Sequence, residues 1–384
     1  MSGFPVLTRP SLASRVFRVV ALVVLLYLFL VGIALLGAAF KYLGSGFSKA
    51  LLTTTANPVI GLMTGLLATA LIQSSSTTTS IVVGLVSAGS LSVHAAVPLI
   101  MGANVGTTVT NTIVAMASIR RREEFRRSFA AATMHDVFNI LAVCVLFPLE
   151  LATGYLEKTA GFLATHVGGG EGVEFANPIK AATKPVAHAI LEGISATGWA
   201  DAWVGTTACV LSLVLVFLVL SRLPELLRRM FLSRAESAFS SVMRSGGLPA
   251  LGLGIFLTVL VQSSSITTSL LVPLVGAGIL ALEAAFPITL GANIGTTVTA
   301  LLASTAGSGA GVTIALVHLL FNTTGIALLW PVRAVRNVPV RIARWLADRA
   351  VDNRAVPVLY LLVIFFGIPG VFVFLHRLFE NRIP

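Results

Sequence analysis

Seven apolar runs, near 17–40, 95–118, 128–152, 201–221, 284–305, 311–331 and 356–376, are each long enough to cross about 30 Å of hydrocarbon as a helix of roughly 20 residues. Two stretches between them, 57–90 and 248–280, break that pattern. In each, two apolar arms rather short for a crossing flank a hydroxyl-dense tract: Gln73-Ser74-Ser75-Ser76-Thr77-Thr78-Thr79-Ser80 in the first and Gln262-Ser263-Ser264-Ser265-Ile266-Thr267-Thr268-Ser269 in the second. Backbone that leaves the helix at membrane depth survives only where protein or a wet cavity satisfies its N–H and C=O groups. The pattern therefore predicts two re-entrant helical hairpins with polar elbows, in preference to one kinked helix per tract. The run 17–40 is longer than the apolar core of a secretory signal and reads as a first membrane helix.

The two tracts stand 189 positions apart. So do Gly102-Ala103-Asn104-Val105-Gly106-Thr107-Thr108-Val109-Thr110 and Gly291-Ala292-Asn293-Ile294-Gly295-Thr296-Thr297-Val298-Thr299, and the chain is an internal duplication. A third echo, His135-Asp136-Val137-Phe138-Asn139 against His318-Leu319-Leu320-Phe321-Asn322, is displaced by 183. The predicted organisation is an N-terminal segment with the first crossing (1–56), a first repeat of hairpin plus two crossings (57–152) and an extracytoplasmic loop (153–200). A connecting crossing with a basic segment (201–247), a second repeat (248–331) and a basic helix with the last crossing (332–384) complete it.

Of 384 residues, 56% are hydrophobic and only 11% charged, with a mean hydropathy of +0.94, far from a soluble norm of about 25% charged. The fold class is an all-α polytopic membrane protein. A net charge of +11 suggests nucleic acid in a soluble chain, but here the arginines sit between apolar runs. They cluster at Arg120, Arg121, Arg122, Arg126 and Arg127, at Arg222, Arg228, Arg229, Arg234 and Arg244, and at Arg333, Arg336, Arg341, Arg344, Arg349 and Arg354. The positive-inside bias puts all three clusters and the N-terminus in the cytoplasm, and Glu157, Glu171, Glu174 and Glu192 outside. Counting crossings then gives the halves opposite orientation, the inverted-repeat plan of many secondary transporters. The segments 222–244 and 333–354 read either as helices on the inner surface or as solvated loops. Cys144 and Cys209 lie inside apolar runs with no metal-type spacing, so neither a disulfide nor a metal is implied.

A lone serine in a membrane helix usually bonds its own backbone, but these tracts carry far more hydroxyls than packing needs. At a broken helix the free N–H groups and the positive end of the dipole suit an anion. No Lys or Arg occurs in 57–118 or 248–305, so a phosphate or sulfate is held there by neutral donors that also let it go. Oxygen atoms at the same break suit a hard cation such as sodium. The glycines at 102, 106, 291 and 295 are expected to let the adjoining helices unwind. The His-x-x-Phe-Asn echoes either line or support the site, or make a polar contact between helices. Asp136, a carboxylate inside a span, is a functional candidate by default; it binds a cation, titrates, or caps a helix near the basic face.

Together, the paired Gln-Ser-Ser-Ser tracts, the paired Gly-Ala-Asn-Val/Ile-Gly-Thr-Thr segments and the paired His-x-x-Phe-Asn echoes resemble the type II sodium-dependent phosphate cotransporter family over about 57–140 and 248–325. The resemblance implies sodium-coupled symport of inorganic phosphate by alternating access, with co-transported sodium and no organic cofactor. Phosphate is then expected at Gln73, Ser74, Ser75, Ser76, Gln262, Ser263, Ser264, Ser265, Asn104 and Asn293. Sodium is expected at Thr77, Thr78, Thr79, Thr107, Thr108, Thr267, Thr268, Thr296, Thr297, Asn139 and Asn322. One departure is Ile266 where the first copy has Thr77, which thins the hydroxyl set of the second hairpin. The outer loop lacks the cysteine pair of animal members, which favours a bacterial inner-membrane protein. Phosphate, sodium and the lipid bilayer are the partners implied, and a homodimer is compatible with them. A carrier of sulfate or a dicarboxylate stays open. A membrane enzyme acting on a lipid phosphate is disfavoured, since a symmetric pair of serine tracts is not one activated nucleophile with an oriented base. A passive anion channel is the remaining alternative, and an ATP-driven pump is disfavoured because no phosphate-binding Gly-x-x-x-x-Gly-Lys segment occurs.

Overall fold

The computed structural model describes residues 12–43, 57–167, 178–242 and 247–380. Glu171, Glu174 and Arg244, on which part of the charge reading rests, lie outside them. Helix α1 (Leu12–Tyr42) is followed by α2 (Pro58–Ile72) and α3 (Ser75–Ser87), the arms of the first tract. Next come α4 (Val93–Gly106), α5 (Val109–Met116), α6 (Arg122–Thr153), α7 (Tyr155–Val167), α8 (Pro178–Ser195) and α9 (Asp201–Val242). The second set is α10 (Gly247–Val261), α11 (Ser264–Gly276), α12 (Leu282–Thr305) and α13 (Gly309–Leu329), and the chain continues through α14 (Arg333–Asp352), α15 (Ala355–Leu362), a π-helical turn (Val363–Gly367) and α16 (Ile368–Glu380). No described residue lies in a strand.

Among the described residues, seven spans are long and apolar enough to cross a membrane: Val16–Phe40, Val93–Met116, Arg122–Thr153, Asp201–Leu223, Leu282–Thr305, Gly309–Leu329 and Ala355–Leu378. Each matches one of the apolar runs. The arms α2, α10 and α11 are apolar but shorter, as the interrupted pattern at 57–90 and 248–280 requires. Local chemistry sets their ends. Asn57 caps α2, its side chain accepting from the Val59 N–H, with Pro58 in the first turn where its missing N–H costs nothing. Between α6 and α7 the chain turns at Gly154, in the left-handed region, and the buried Glu150 carboxylate accepts the N–H groups of Leu156 and Glu157. That carboxylate caps α7.

Close backbone approach defines both halves. Helix α2 packs along α4, and α10 along α12. A Cβ on Gly65 would overlap the Leu99 carbonyl oxygen, and one on Gly102 the Leu62 carbonyl oxygen; at the equivalent places Gly254 faces Ile288 O and Gly291 faces Leu251 O. Small residues let membrane helices approach to van der Waals contact, where packing replaces the missing hydrophobic drive. This corrects the expectation that these glycines unwind their helices. Helix α12 runs unbroken through Gly291 and Gly295, and the first copy is interrupted only after Gly106, at Thr107 and Thr108, before α5 begins.

The halves interlock. Helix α3 of the first set lies against α12 and α13 of the second, while α11 of the second lies against α5 and α6 of the first. The 333–354 segment is helix as far as Asp352, not a loop. Its buried face, Pro339, Val340, Ala343, Ala347 and Ala350, packs on α6, and Arg122 pairs with Asp352, Arg126 with Asp348 and Arg344 with Glu283. Likewise 222–242 continues α9 as helix.

Candidate functional site

Each hydroxyl tract begins with a residue that L-amino acids adopt reluctantly. Gln73 ends α2 with φ 56° and ψ 27°, and Gln262 has φ 53°. A non-glycine residue in this left-handed region costs on the order of 1 kcal/mol. No other described non-glycine residue has a positive φ, so both excursions sit at the two tips. The next residue then starts a new helix. Ser74 caps α3, its Oγ accepting the Thr77 N–H at 3.2 Å, and Ser263 caps α11, its Oγ accepting the Ile266 N–H at 3.4 Å. The remaining first-turn N–H groups of α3 and α11 have no helical acceptor, and they carry the positive ends of two helix dipoles.

The tips meet. Ser76 Oγ donates to the Gln262 carbonyl at 3.4 Å, and Ser265 Oγ to the Thr107 carbonyl at 3.3 Å. Between them lies a cavity of about 530 Å³. The first tip contributes Gln73, Ser74 and Thr77, and the second Ser263, Ser265, Ile266 and Ser269. Thr110 of α5 and Phe217, Leu220 and Ser221 of α9 close the walls. No charged side chain lines it, so any anion inside is met by hydroxyl, amide and backbone donors.

Not every expected residue reaches that cavity. Ser75, Ser76 and Ser264 are buried and do not line it. Most of the threonines turn their hydroxyl protons onto nearby carbonyls: Thr78 to Ser74, Thr79 to Ser76, Thr107 to Ala103, Thr108 to Val105, Thr296 to Ala292 and Thr297 to Ile294. A hydroxyl so engaged keeps lone pairs for a cation but has no proton left for an anion.

The four asparagines form a crossed network instead. Asn293 Oδ1 accepts from His135 Nε2 at 2.5 Å, and its Nδ2 donates to Asn139 Oδ1 at 2.7 Å. Asn139 in turn donates to the Asn104 carbonyl at 3.0 Å, and Asn104 Oδ1 accepts from His318 Nε2 at 3.3 Å. Asn322 donates to the His318 carbonyl. Each half's histidine thus holds the other half's asparagine, and the His-x-x-Phe-Asn echoes are polar contacts between helices. Asn104, Asn293, Asn139 and Asn322 are all buried, and none of them lines the cavity.

Asp136 is fully buried within α6, not at a helix end, which sets aside a capping role. Its Oδ2 accepts from the Tyr360 hydroxyl of α15 at 3.0 Å, whereas Oδ1 has no partner among the described residues. Tyr360→Phe removes the one donor. We expect it to lower stability by about 1–3 kcal/mol, the cost of orphaning a buried polar group, read as a drop in melting temperature in detergent. An unchanged melting temperature would show that the bond contributes nothing.

Sequence reasoning missed other contributors. Asn111 donates to Thr268 Oγ1 at 2.9 Å and accepts from Ser269 Oγ at 2.9 Å, joining α5 to the second tip. Its counterpart in the duplication is Ala300, so no echo marked it. Thr299 donates to Gln262 Oε1 at 2.8 Å and Thr258 to Thr267 Oγ1 at 2.9 Å. Thr299 closes the second Asn-x-Gly-Thr-Thr segment, a signal that was present; Thr258 is an isolated hydroxyl in an apolar arm.

Comparison with known proteins places this arrangement. The chain is 34% identical to sodium-dependent phosphate transport protein 2A of Rattus norvegicus over 432 residues, covering 94% of this chain and 68% of that protein. It is 33% identical to sodium-dependent phosphate transport protein 2B of Homo sapiens over 443 residues, covering 92% and 64%. Against protein 2A of Ovis aries the identity is 36% over 419 residues, covering 90% and 65%. No solved structure matches the chain significantly. The Na+/Pi-cotransporter family matches residues 28–168 and 215–368, which include both tips, both asparagine segments and both histidines, and the chain belongs to that family.

Proposed function

We propose that this chain is a secondary active transporter that carries inorganic phosphate across a membrane with sodium by alternating access. The observation that carries this is the cavity between two broken-helix tips, lined from both sides by neutral donors and free of charged side chains. Phosphate is bound there by Gln73, Ser74, Ser263 and Ser265, with the first-turn N–H groups of α3 and α11. Sodium is held by hydroxyl and carbonyl oxygens at the same breaks, where the threonine protons already point elsewhere. Coupling follows from charge. Moving a divalent anion into a negative interior costs about 4.6 kcal/mol at 100 mV, at about 2.3 kcal/mol per charge. Two co-bound sodium ions cancel that term and three reverse it.

The two sets, α2–α6 and α10–α13, each beginning with a broken pair, support an inverted repeat with the tips entering from opposite faces. The basic ends of α6, α9 and α14 face the cytoplasm in this reading, as does the N-terminus. The cavity reaches Ser221, next to Arg222, which supports an opening toward the basic side in this reading. The relatives carry transport names and support a carrier over an enzyme. The membrane is a bacterial inner membrane in this reading, and a homodimer is compatible with it.

Labelled phosphate flux in proteoliposomes, with sodium, potassium and proton gradients imposed singly, tests the reading. The expected result is accumulation driven by the sodium gradient alone. Equal accumulation without sodium would sink the coupling, equilibration without accumulation would indicate a channel, and full competition by sulfate would reassign the substrate.

A further inference from the structure

The duplication allows each bond at one tip to be compared with its equivalent at the other, and two of them do not match. At the second tip Thr258 Oγ1 donates to Thr267 Oγ1 at 2.9 Å, tying the arm α10 to α11. The equivalent residues, 189 positions earlier, are Thr69 and Thr78. They are the same residue types, yet Thr69 Oγ1 is buried with no partner among the described residues, and Thr78 donates only to the Ser74 carbonyl. The second mismatch concerns the glutamines. Gln262 is buried, its Oε1 accepting from Thr299 at 2.8 Å and its Nε2 donating to the Val259 carbonyl at 2.8 Å. Gln73 is exposed, and Thr110, the equivalent of Thr299, stands on the same cavity wall without bonding it.

Composition explains neither difference. By contrast, Ser80 Oγ is unpartnered where the equivalent Ser269 bonds Asn111, and there the cause is compositional, because the second-half counterpart of Asn111 is Ala300. With identical residues on both sides, the threonine pair and the glutamine–threonine pair differ by conformation. A buried hydroxyl without a partner is unfavourable, and a state that retains one is poised toward another in which the bond forms.

We propose that Thr69 and Thr110 are positioning residues of the transport cycle: once phosphate and sodium are bound they fasten the first tip, through Thr78 and the Gln73 amide, as Thr258 and Thr299 already fasten the second. The inference rests on the reading of the cavity as the phosphate site. Closure turns the Gln73 amide oxygen onto Thr110, leaving its NH2 group for phosphate, and ties α2 to α3 behind the substrate. The second tip is fastened in this state and the first is not, so the two alternate as the cavity changes sides.

Thr→Val replacement removes each hydroxyl at nearly constant volume. Melting temperature in detergent, with and without saturating sodium and inorganic phosphate, is read beside sodium-driven phosphate uptake. Thr258→Val and Thr299→Val break bonds that exist and lower the ligand-free melting temperature. Thr69→Val and Thr110→Val leave it unchanged or raise it, yet lose at least half of the shift that sodium and phosphate produce. Maximal uptake in both falls about fivefold, the loss expected from one hydrogen bond made only on closure. A ligand-free melting temperature lowered by Thr69→Val as much as by Thr258→Val would overturn the proposal, because the two tips would then be bonded alike. So would a Thr69→Val protein with the parent's ligand shift and uptake. Failure of the parent itself to accumulate phosphate on a sodium gradient would instead overturn the transport reading.

Discussion

Gly102→Ala and Gly291→Ala are each expected to abolish phosphate uptake by preventing assembly of the fold, with Gly65→Ala and Gly254→Ala close behind. At all four positions the added methyl would overlap a carbonyl oxygen of the facing helix. Nothing flexible stands in the way that could swing aside; the obstacle is main chain on both sides. Overpacking against side chains costs about 1–3 kcal/mol, and here whole helices must separate, so the cost exceeds the upper end of that range. It then consumes much of a total stability of about 5–15 kcal/mol. Separation also drags the tips, because Gly106 and Gly295 continue the close approach one turn on, where an added Cβ would lie 2.5 Å from the Leu66 carbonyl oxygen and 2.9 Å from that of Ile255. The measurement is yield and monodispersity by size exclusion in detergent, together with uptake. Monodisperse, active alanine variants would remove the close-approach account.

His135→Leu is expected to reduce uptake to background in a protein that still folds. It orphans the Asn293 carbonyl oxygen and loosens the chain of bonds from Asn293 through Asn139 to the Asn104 carbonyl. Each buried polar group left without a partner costs about 1–3 kcal/mol. Because these bonds run between α6 and α12, the loss falls on the relation of one half to the other. His318→Leu acts at the equivalent contact, whose bond is longer at 3.3 Å, and should be milder. Residues in one network are not additive, so His135→Leu with Asn293→Leu should cost less than the sum of the two single changes. Strict additivity in uptake and melting temperature would show that the pair does not act as a unit.

Much of this molecule can be read along the chain. Runs such as 201–221 and 356–376 need only length and hydropathy to be recognised as spans, and the tips announce themselves because hydroxyls are costly in hydrocarbon unless something binds or bonds them. What the chain hides is which surfaces meet. Gly102 reads equally as a place to unwind or a place to touch, and only the Leu62 carbonyl across from it decides. Asn104 and Asn293 read along the chain as ligands, and the sequence does not show that their amides bond histidines of the opposite half. The repeated motifs point to a symmetric site, and the differences at Asn111, Ile266 and Asp136 become meaningful only in three dimensions. Ile266 illustrates this: Ser74 Oγ and Thr77 Oγ1 share a hydrogen bond at 2.8 Å, a bond that Ser263 cannot make with an isoleucine side chain in the equivalent place.

The crossed histidines also constrain how such a chain could have arisen. The His135 ring satisfies Asn293 and the His318 ring satisfies Asn104, so neither imidazole bonds the Gly-Ala-Asn asparagine of its own half. A half-length ancestor carrying one of each would have had both groups buried and unsatisfied as a monomer. Two copies packed against each other would have satisfied both, and suppressors of a defect in one half are to be sought in the other.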